Sequence, residues 1–140
     1  MIENILIIND SEIELTSNYK ESEFLKTSLG EAARLLIDLG GFKTYAFGPA
    51  IICGKKFGCL IIFKDGVVES FSMEMATGEF AEIPGNENCE GYLKKIKKKN
   101  DEFLRSIADD NPPYRCEWGL VESVLDKKAC SAVIVVSFKG

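Results

Sequence analysis

Apolar positions along this chain follow two spacings. Alternation and short apolar runs mark strands, and steps of three and four mark helices. The densest pattern lies at the end, from Tyr114 to Gly140. Two arms rich in β-branched and aromatic residues flank Asp126-Lys127-Lys128-Ala129, which predicts a hairpin. Pairing Leu125 with Cys130 across that break collects Val121, Leu125, Ala132, Ile134, Val136 and Phe138 on one face. The other face then holds Cys116, Trp118, Leu120, Val124, Val133 and Val135. Neither face suits water along its length, so the hairpin is expected at the centre of the core, with a helix on at least one face. Gly119 beside Trp118 predicts a bulge or the close approach of a ring or backbone.

Earlier in the chain, Cys59–Lys64 and Val67–Ser72 flank Asp65-Gly66. A two-residue Asp-Gly loop is the type I′ hairpin turn, since both positions need positive φ. It sets Lys64 opposite Val67, Ile62 opposite Glu69 and Leu60 opposite Phe71. Apolar residues on both faces of the first arm predict an interior strand. Residues 43–53 read as a strand on an edge or with a bulge near Gly48-Pro49, because Pro49 cannot donate to a ladder. A loop over residues 54–58 follows. The N-terminus predicts a small hairpin, Ile5–Ile8 against Glu12–Thr16 with a turn at Asn9-Asp10-Ser11. Leu25, Leu29, Ala32, Leu36 and Leu39 lie on one helical stripe, which predicts a helix starting near Ser22 or Ser28 and ending at Gly40-Gly41. A second helix is expected over 86–110. Its apolar side carries Cys89, Tyr92, Leu93, Ile96, Phe103, Leu104 and Ile107, and Pro112-Pro113 stop it. Residues 73–85 extend the strand or form an acidic loop. Together these elements predict an α+β fold, a single antiparallel sheet of about five to seven strands with two main helices packed on it, in one domain over residues 1–140.

The chain has no histidine, which removes the usual acid–base group at neutral pH. Ser123 has no obvious base partner, so the chain is expected not to be an enzyme; the pairing of its many carboxylates is not readable from sequence, which leaves a Glu/Asp hydrolase as the catalytic alternative. Five cysteines, none in a Cys-x-x-Cys pair, predict buried free thiols rather than a zinc site. Cys53, near Lys55 and Lys56, comes closest to an activated one. No cofactor and no metal are expected. Five lysines between residues 94 and 99 sit among acids without interleaved aromatics, so they predict a solvated helix face and no nucleic acid. No run of about 18 apolar residues exists to span a membrane. The N-terminal apolar patch lacks a basic region or a cleavage site, so the expected location is cytoplasmic. Net charge is −5, and residues 1–31 carry two lysines against seven acids, 2 − 7 = −5. Such an end attracts basic proteins.

The lysine-rich helix, Pro112-Pro113-Tyr114, Trp118-Gly119, Ser123, Asp126 and Lys128, and the alternating Ile134-x-Val136 strand form a pattern that resembles small proteins of bacterial polymorphic-toxin loci. The Asp65-Gly66 hairpin fits the same layout. The whole is similar to immunity proteins of contact-dependent growth inhibition systems, closely over residues 57–138 and only in general layout before them. The resemblance implies a small cytoplasmic protein that binds and neutralises one cognate toxin domain by occluding its active site or substrate surface; a nuclease is the expected toxin, and its active-site face would be basic to hold phosphates. Immunity proteins diversify at their binding surfaces, so no site transfers residue by residue. The acidic stretches make Asp10, Glu12, Glu14, Glu69, Glu74, Glu79 and Glu82 the candidate contacts, with Phe80 as an apolar anchor. The alternative is a non-enzymatic adaptor or secretion-chaperone-like module. Oligomeric state is not readable from the sequence.

Overall fold

The computed structural model describes residues 1–75, 89–128 and 130–139. A 3-10 turn, Ile2–Leu6, leads into β1 (Ile7–Ile8) and β2 (Ile13–Glu14). Two single-turn helices follow, α1 (Glu21–Phe24) and α2 (Ser28–Glu31). Strands β3 (Arg34–Leu39), β4 (Phe42–Ile52), β5 (Lys55–Lys64) and β6 (Val67–Met75) come next. The long helix α3 (Cys89–Ala108) precedes β7 (Tyr114–Cys116), β8 (Gly119–Asp126) and β9 (Ser131–Phe138). β1 and β2 form a two-stranded ribbon, and the other seven strands form one antiparallel sheet in the order β3-β4-β5-β6-β9-β8-β7. The α+β class and the large antiparallel sheet match the expectation. Only one long helix is present among the described residues, where two were expected.

The missing helix is the clearest correction. Residues 22–39 break into α1, α2 and β3 instead of one helix. The Thr27 hydroxyl donates to Phe24 O (2.7 Å) and accepts from Gly30 N (2.9 Å), which ends one turn and starts the next. A Cβ on Gly30 would lie 1.8 Å from Phe24 O, so the close return of the chain depends on this glycine. Gly40 and Gly41, at φ 62° and 87°, turn β3 into β4 rather than capping a helix. Beside the helical stripe, Leu35, Ile37 and Leu39 recur at the period of a strand, and Leu-Leu-Ile favours the strand once a neighbour is there to pair with.

The sheet has one covered face. Along β5, Phe57, Cys59, Ile61 and Phe63 are buried in alternation. Phe71, Met73 and Met75 on β6 and Ile134 and Val136 on β9 continue the same face. The N-terminal segment covers the β4–β6 half, and α3 covers β8 and β9. Phe103 of α3 meets Phe57 at 5.1 Å between centroids, and Leu93 and Ile96 pack on Ala132. Each large apolar side chain so buried contributes roughly 1.5–3 kcal/mol. Met73 and Met75 therefore extend the strand and lie under the sheet; residues 76–85 lie outside the described residues.

Registers refine the expected hairpins. Asp65 and Gly66 both take positive φ, 50° and 83°, and Lys64 faces Val67. A bulge after Phe63–Val68 then shifts the ladder, so that Ile62 faces Ser70 and Leu60 faces Ser72, not Glu69 and Phe71. β4 is interior, with its bulge at the cis Gly48-Pro49 bond. Cys53-Gly54, at φ 49° and 80°, is a tight turn, so β5 begins at Lys55 where a loop was expected. In the last hairpin Leu125 pairs with Ala132, not Cys130. The shift is two residues, so residues 120–126 and 131–138 keep their expected faces, whereas Cys116, now opposite Gly119, moves to the Val121 face. The first arm is itself broken at Glu117-Trp118 into β7 and β8. The core accordingly centres on Phe24, Phe57, Phe63 and Phe71 rather than on this hairpin alone, and Trp118 packs at the margin on Phe138 (5.8 Å).

Candidate functional site

Three consecutive residues, Asn9, Asp10 and Ser11, take left-handed φ (56°, 56° and 72°) and reverse the chain between β1 and β2. Asx and Ser residues tolerate that conformation best among residues with a side chain. The turn delivers Glu12 to the start of α2. Its carboxylate accepts from the Ser28 hydroxyl, Leu29 N (2.9 Å) and Asn9 Nδ2 (3.1 Å). These bonds, led by Ser28 and then Leu29, hold the Glu12 carboxyl below its ordinary range. Glu12 is thus a tie between the ribbon and α2, with little capacity left for a partner.

Glu21 is also engaged internally: it accepts from the Tyr45 hydroxyl and lies 3.5 Å from Lys43 Nζ. Burial first, then this bond, pushes Tyr45 up to about 12. Glu23 uses one oxygen on Lys20 N (2.9 Å). Glu14 is exposed on β2.

Between these carboxylates runs a groove of about 710 Å³ whose walls include Glu12, Glu14, Glu23 and Tyr19, three carboxylates against the single cation Lys20. Tyr19 is only 8% exposed, stacks on Phe63 at 6.5 Å, and its hydroxyl has no hydrogen-bond partner. Burial, followed by the Glu23 and Glu12 charges, pushes it up to about 12, so it stays a neutral donor. A buried hydroxyl normally finds a partner. One without a partner, at a wall lined by carboxylates, fits an incoming charged or hydrogen-bonding group. Such a groove can hold an ammonium or guanidinium by charge and hydrogen bonds.

The candidate contacts named from sequence do not form one surface. Asp10 faces a neighbouring groove with Met1, Asn4 and Cys53. Glu12 and Glu14 share the Tyr19 groove. Glu69 lies on β6 beside Val68, whose N–H donates to Tyr19 O. Glu74 sits across the sheet in a groove of about 690 Å³ with Arg34, Leu60 and Val133, and burial raises its carboxyl. Glu79, Phe80 and Glu82 lie outside the described residues. Sequence reasoning missed Tyr19 and Glu23. Tyr19 was detectable as an aromatic with a polar tip inside the acidic third, but its burial depends on Phe63, which is remote in sequence.

Cys53, Cys59 and Cys116 are free thiols, of which only Cys59 is buried, and none of the three is activated. Burial raises Cys53 despite the N-terminal amine, pushes Cys59 up to about 12 and raises Cys116. Cys130 is disulfide-bonded, which corrects the free-thiol expectation there. No group of three or more metal-ligating side chains occurs among the described residues, and no helix among them is long and apolar enough to cross a membrane. No family model matches the chain, and no curated protein or solved structure matches it either.

A first consequence concerns Glu12. Its folded-state value lies below the unfolded one, so its contribution is complete above about pH 4.3 and is lost as pH falls through the folded value. Glu12→Gln is expected to lower stability at pH 7 by about 1 kcal/mol, a modest figure because the bonds are partly open to solvent. Urea denaturation should show that difference at neutral pH and none near pH 2.

Proposed function

We propose that the protein is an immunity-type inhibitor that binds the basic face of a cognate bacterial toxin domain, a nuclease, and occludes its substrate surface. The observation that carries this reading is the unpartnered, nine-tenths-buried Tyr19 hydroxyl in a groove walled by Glu12, Glu14 and Glu23. A nuclease face is basic because it holds phosphates. An arginine or lysine from that face enters the groove, donates to the Tyr19 hydroxyl oxygen, and meets Glu14 and the free oxygen of Glu23. The −5 charge of residues 1–31 steers the approach, so association slows as salt rises. The resemblance of residues 57–138 to immunity proteins supplies the scaffold, and the acidic segment ahead of it supplies the contact.

In this reading the protein acts in the cytoplasm, where an incoming toxin meets its target. That compartment keeps thiols reduced, so inhibition is expected to be the same with and without reductant, whatever the state of Cys130.

The test is co-purification with the toxin domain encoded beside it, followed by titration calorimetry and a toxin activity assay. Glu14→Lys is expected to weaken binding by about a hundredfold, since it turns an attraction into a like-charge contact. Tyr19→Phe separates binding from folding. Removing a buried, unpaired hydroxyl is expected to leave stability unchanged or raise it by up to about 1 kcal/mol, while weakening binding about tenfold. Toxin activity that persists in excess protein, or a Glu14→Lys variant that binds like wild type, overturns the proposal.

A further inference from the structure

The acidic groove borders a cation of its own and leaves it unused. Lys20 lines the groove beside Glu14, Glu23 and Tyr19. It meets Glu23 only through its backbone N–H (2.9 Å). Among the described residues the Lys20 ammonium makes neither an ion pair nor a hydrogen bond. The Glu14 carboxylate has no partner among them either, whereas both oxygens of Glu12 are taken by Ser28, Leu29 and Asn9. Three acceptors stay open: the Glu14 carboxylate, the second oxygen of Glu23 and the Tyr19 hydroxyl. They come from β2, from the segment after it and from α1.

Acidity alone would take any cation, and Tyr19 narrows the choice. It is only 8% exposed, and its hydroxyl is buried without a partner in the groove wall. Burial keeps that hydroxyl protonated and neutral. An ammonium is a compact, strongly hydrated charge whose three donors leave from one nitrogen. Bringing it to a buried hydroxyl strips its water. A guanidinium is planar, more weakly hydrated, and spreads five N–H donors over three nitrogens. One edge of it can turn to the hydroxyl while its other donors stay with the carboxylates.

We infer that the group this groove takes is an arginine side chain, selected over lysine by the Tyr19 hydroxyl. One N–H donates to the Tyr19 oxygen, and the remaining donors meet the Glu14 carboxylate and the open oxygen of Glu23. The carboxylates attract either cation. The hydroxyl discriminates, because a lysine leaves it as unpaired as it is in the free protein. A resident lysine that leaves all three acceptors open accords with that preference. Because it rests on the inhibitor reading, the assignment also names the toxin's anchor, an arginine on its basic face.

The test needs no toxin. N-acetyl-arginine amide and N-acetyl-lysine amide carry the same charge, so charge alone binds them equally. Each is titrated into the full-length, isotope-labelled chain at low salt, and backbone amide chemical shifts are followed. The arginine probe is expected to bind with a dissociation constant of about 1–10 mM, and the lysine probe at least about fivefold more weakly. The shifts are expected around Glu14, Tyr19 and Glu23, and at Leu29, whose N–H is held by Glu12. Tyr19→Phe keeps the ring on Phe63. It is expected to weaken the arginine probe about fivefold and to leave the lysine probe unchanged. Glu14→Gln is expected to weaken both alike, by about twofold to fivefold. The comparison in wild type decides the matter even if Tyr19→Phe folds poorly. Probes that bind wild type within about twofold of each other overturn the inference. So does an arginine probe that fails to bind at about 50 mM, and so does a Tyr19→Phe variant that keeps the preference. A toxin bound and blocked by a groove indifferent to the two probes overturns this inference alone. A groove that selects arginine, in a protein that leaves the toxin active, overturns the inhibitor reading alone.

Discussion

Gly119→Ala is expected to be among the most damaging single substitutions in this protein, costing at least about 3 kcal/mol and lowering the melting temperature by roughly 10 °C. Gly119 pairs with Phe138 across β8 and β9. A Cβ at this position would sit 2.0 Å from Ser137 O, 3.0 Å from Ser137 C and 3.1 Å from Phe138 Cα. All three are backbone atoms, so no side chain can swing aside. Either β9 moves away, losing its ladder to β6, or β8 detaches at its start together with β7. The control is Gly54→Ala. There φ is +80° and nothing lies within 4 Å of the added carbon, so only left-handed strain remains, about 1–2 kcal/mol. Calorimetric melts of the two variants give the comparison. Equal melting temperatures would show that the close approach of β9 to Gly119 is not a constraint.

Phe24→Ala is expected to cost about 3–5 kcal/mol and to disorder the acidic groove proposed as the contact surface. Phe24 is fully buried, and its ring lies 5.2 Å from Phe47, 5.5 Å from Tyr45 and 5.7 Å from Phe63. It pins α1 to the sheet, and α1 carries Glu21 and Glu23. Truncation leaves a cavity among three rings and frees the acidic segment to move. A domain of ordinary stability has about 5–15 kcal/mol in total, so the variant sits near the threshold of folding. Phe24→Leu keeps most of the volume and should cost no more than about 1.5 kcal/mol. If the groove is the contact surface, the leucine variant retains toxin binding and the alanine variant loses it. Binding that survives in Phe24→Ala would place the contact elsewhere on the molecule.

These two positions differ in how visible they were from sequence. Gly119 beside Trp118 implies a close approach from the sequence alone, because a glycine within a strand of bulky residues needs a reason. The atoms that approach, Ser137 O and Phe138 Cα, became known only when the register placed β9 there. Phe24 carried no signal. It stood at the head of an expected helix, off the stripe of leucines, and its burial comes from a chain reversal at Thr27 and Gly30 that returns α1 and α2 over β4. The candidate site shows the same division. The acidic bias of residues 1–31 was countable. That Glu12 is consumed by Ser28 and Leu29, that Glu74 lies across the sheet, and that the Tyr19 hydroxyl is buried without a partner all depend on contacts between distant segments.

Local chemistry was enough where the conformation is decided within a few residues. Asp65-Gly66 specified its turn, Asn9-Asp10-Ser11 reversed the ribbon, and the lysine-rich amphipathic run made α3, because a turn type or a helical face needs only its own neighbours. Residues 34–39 had no such local arbiter. Their apolar positions fit both a helix of period 3.6 and a strand of period 2, and the strand prevailed because β4 was available to pair with it. Its exposure on both faces follows from being last in the sheet order. A strand's place in a sheet is set by pairings between segments far apart in the chain, and no local pattern encodes it.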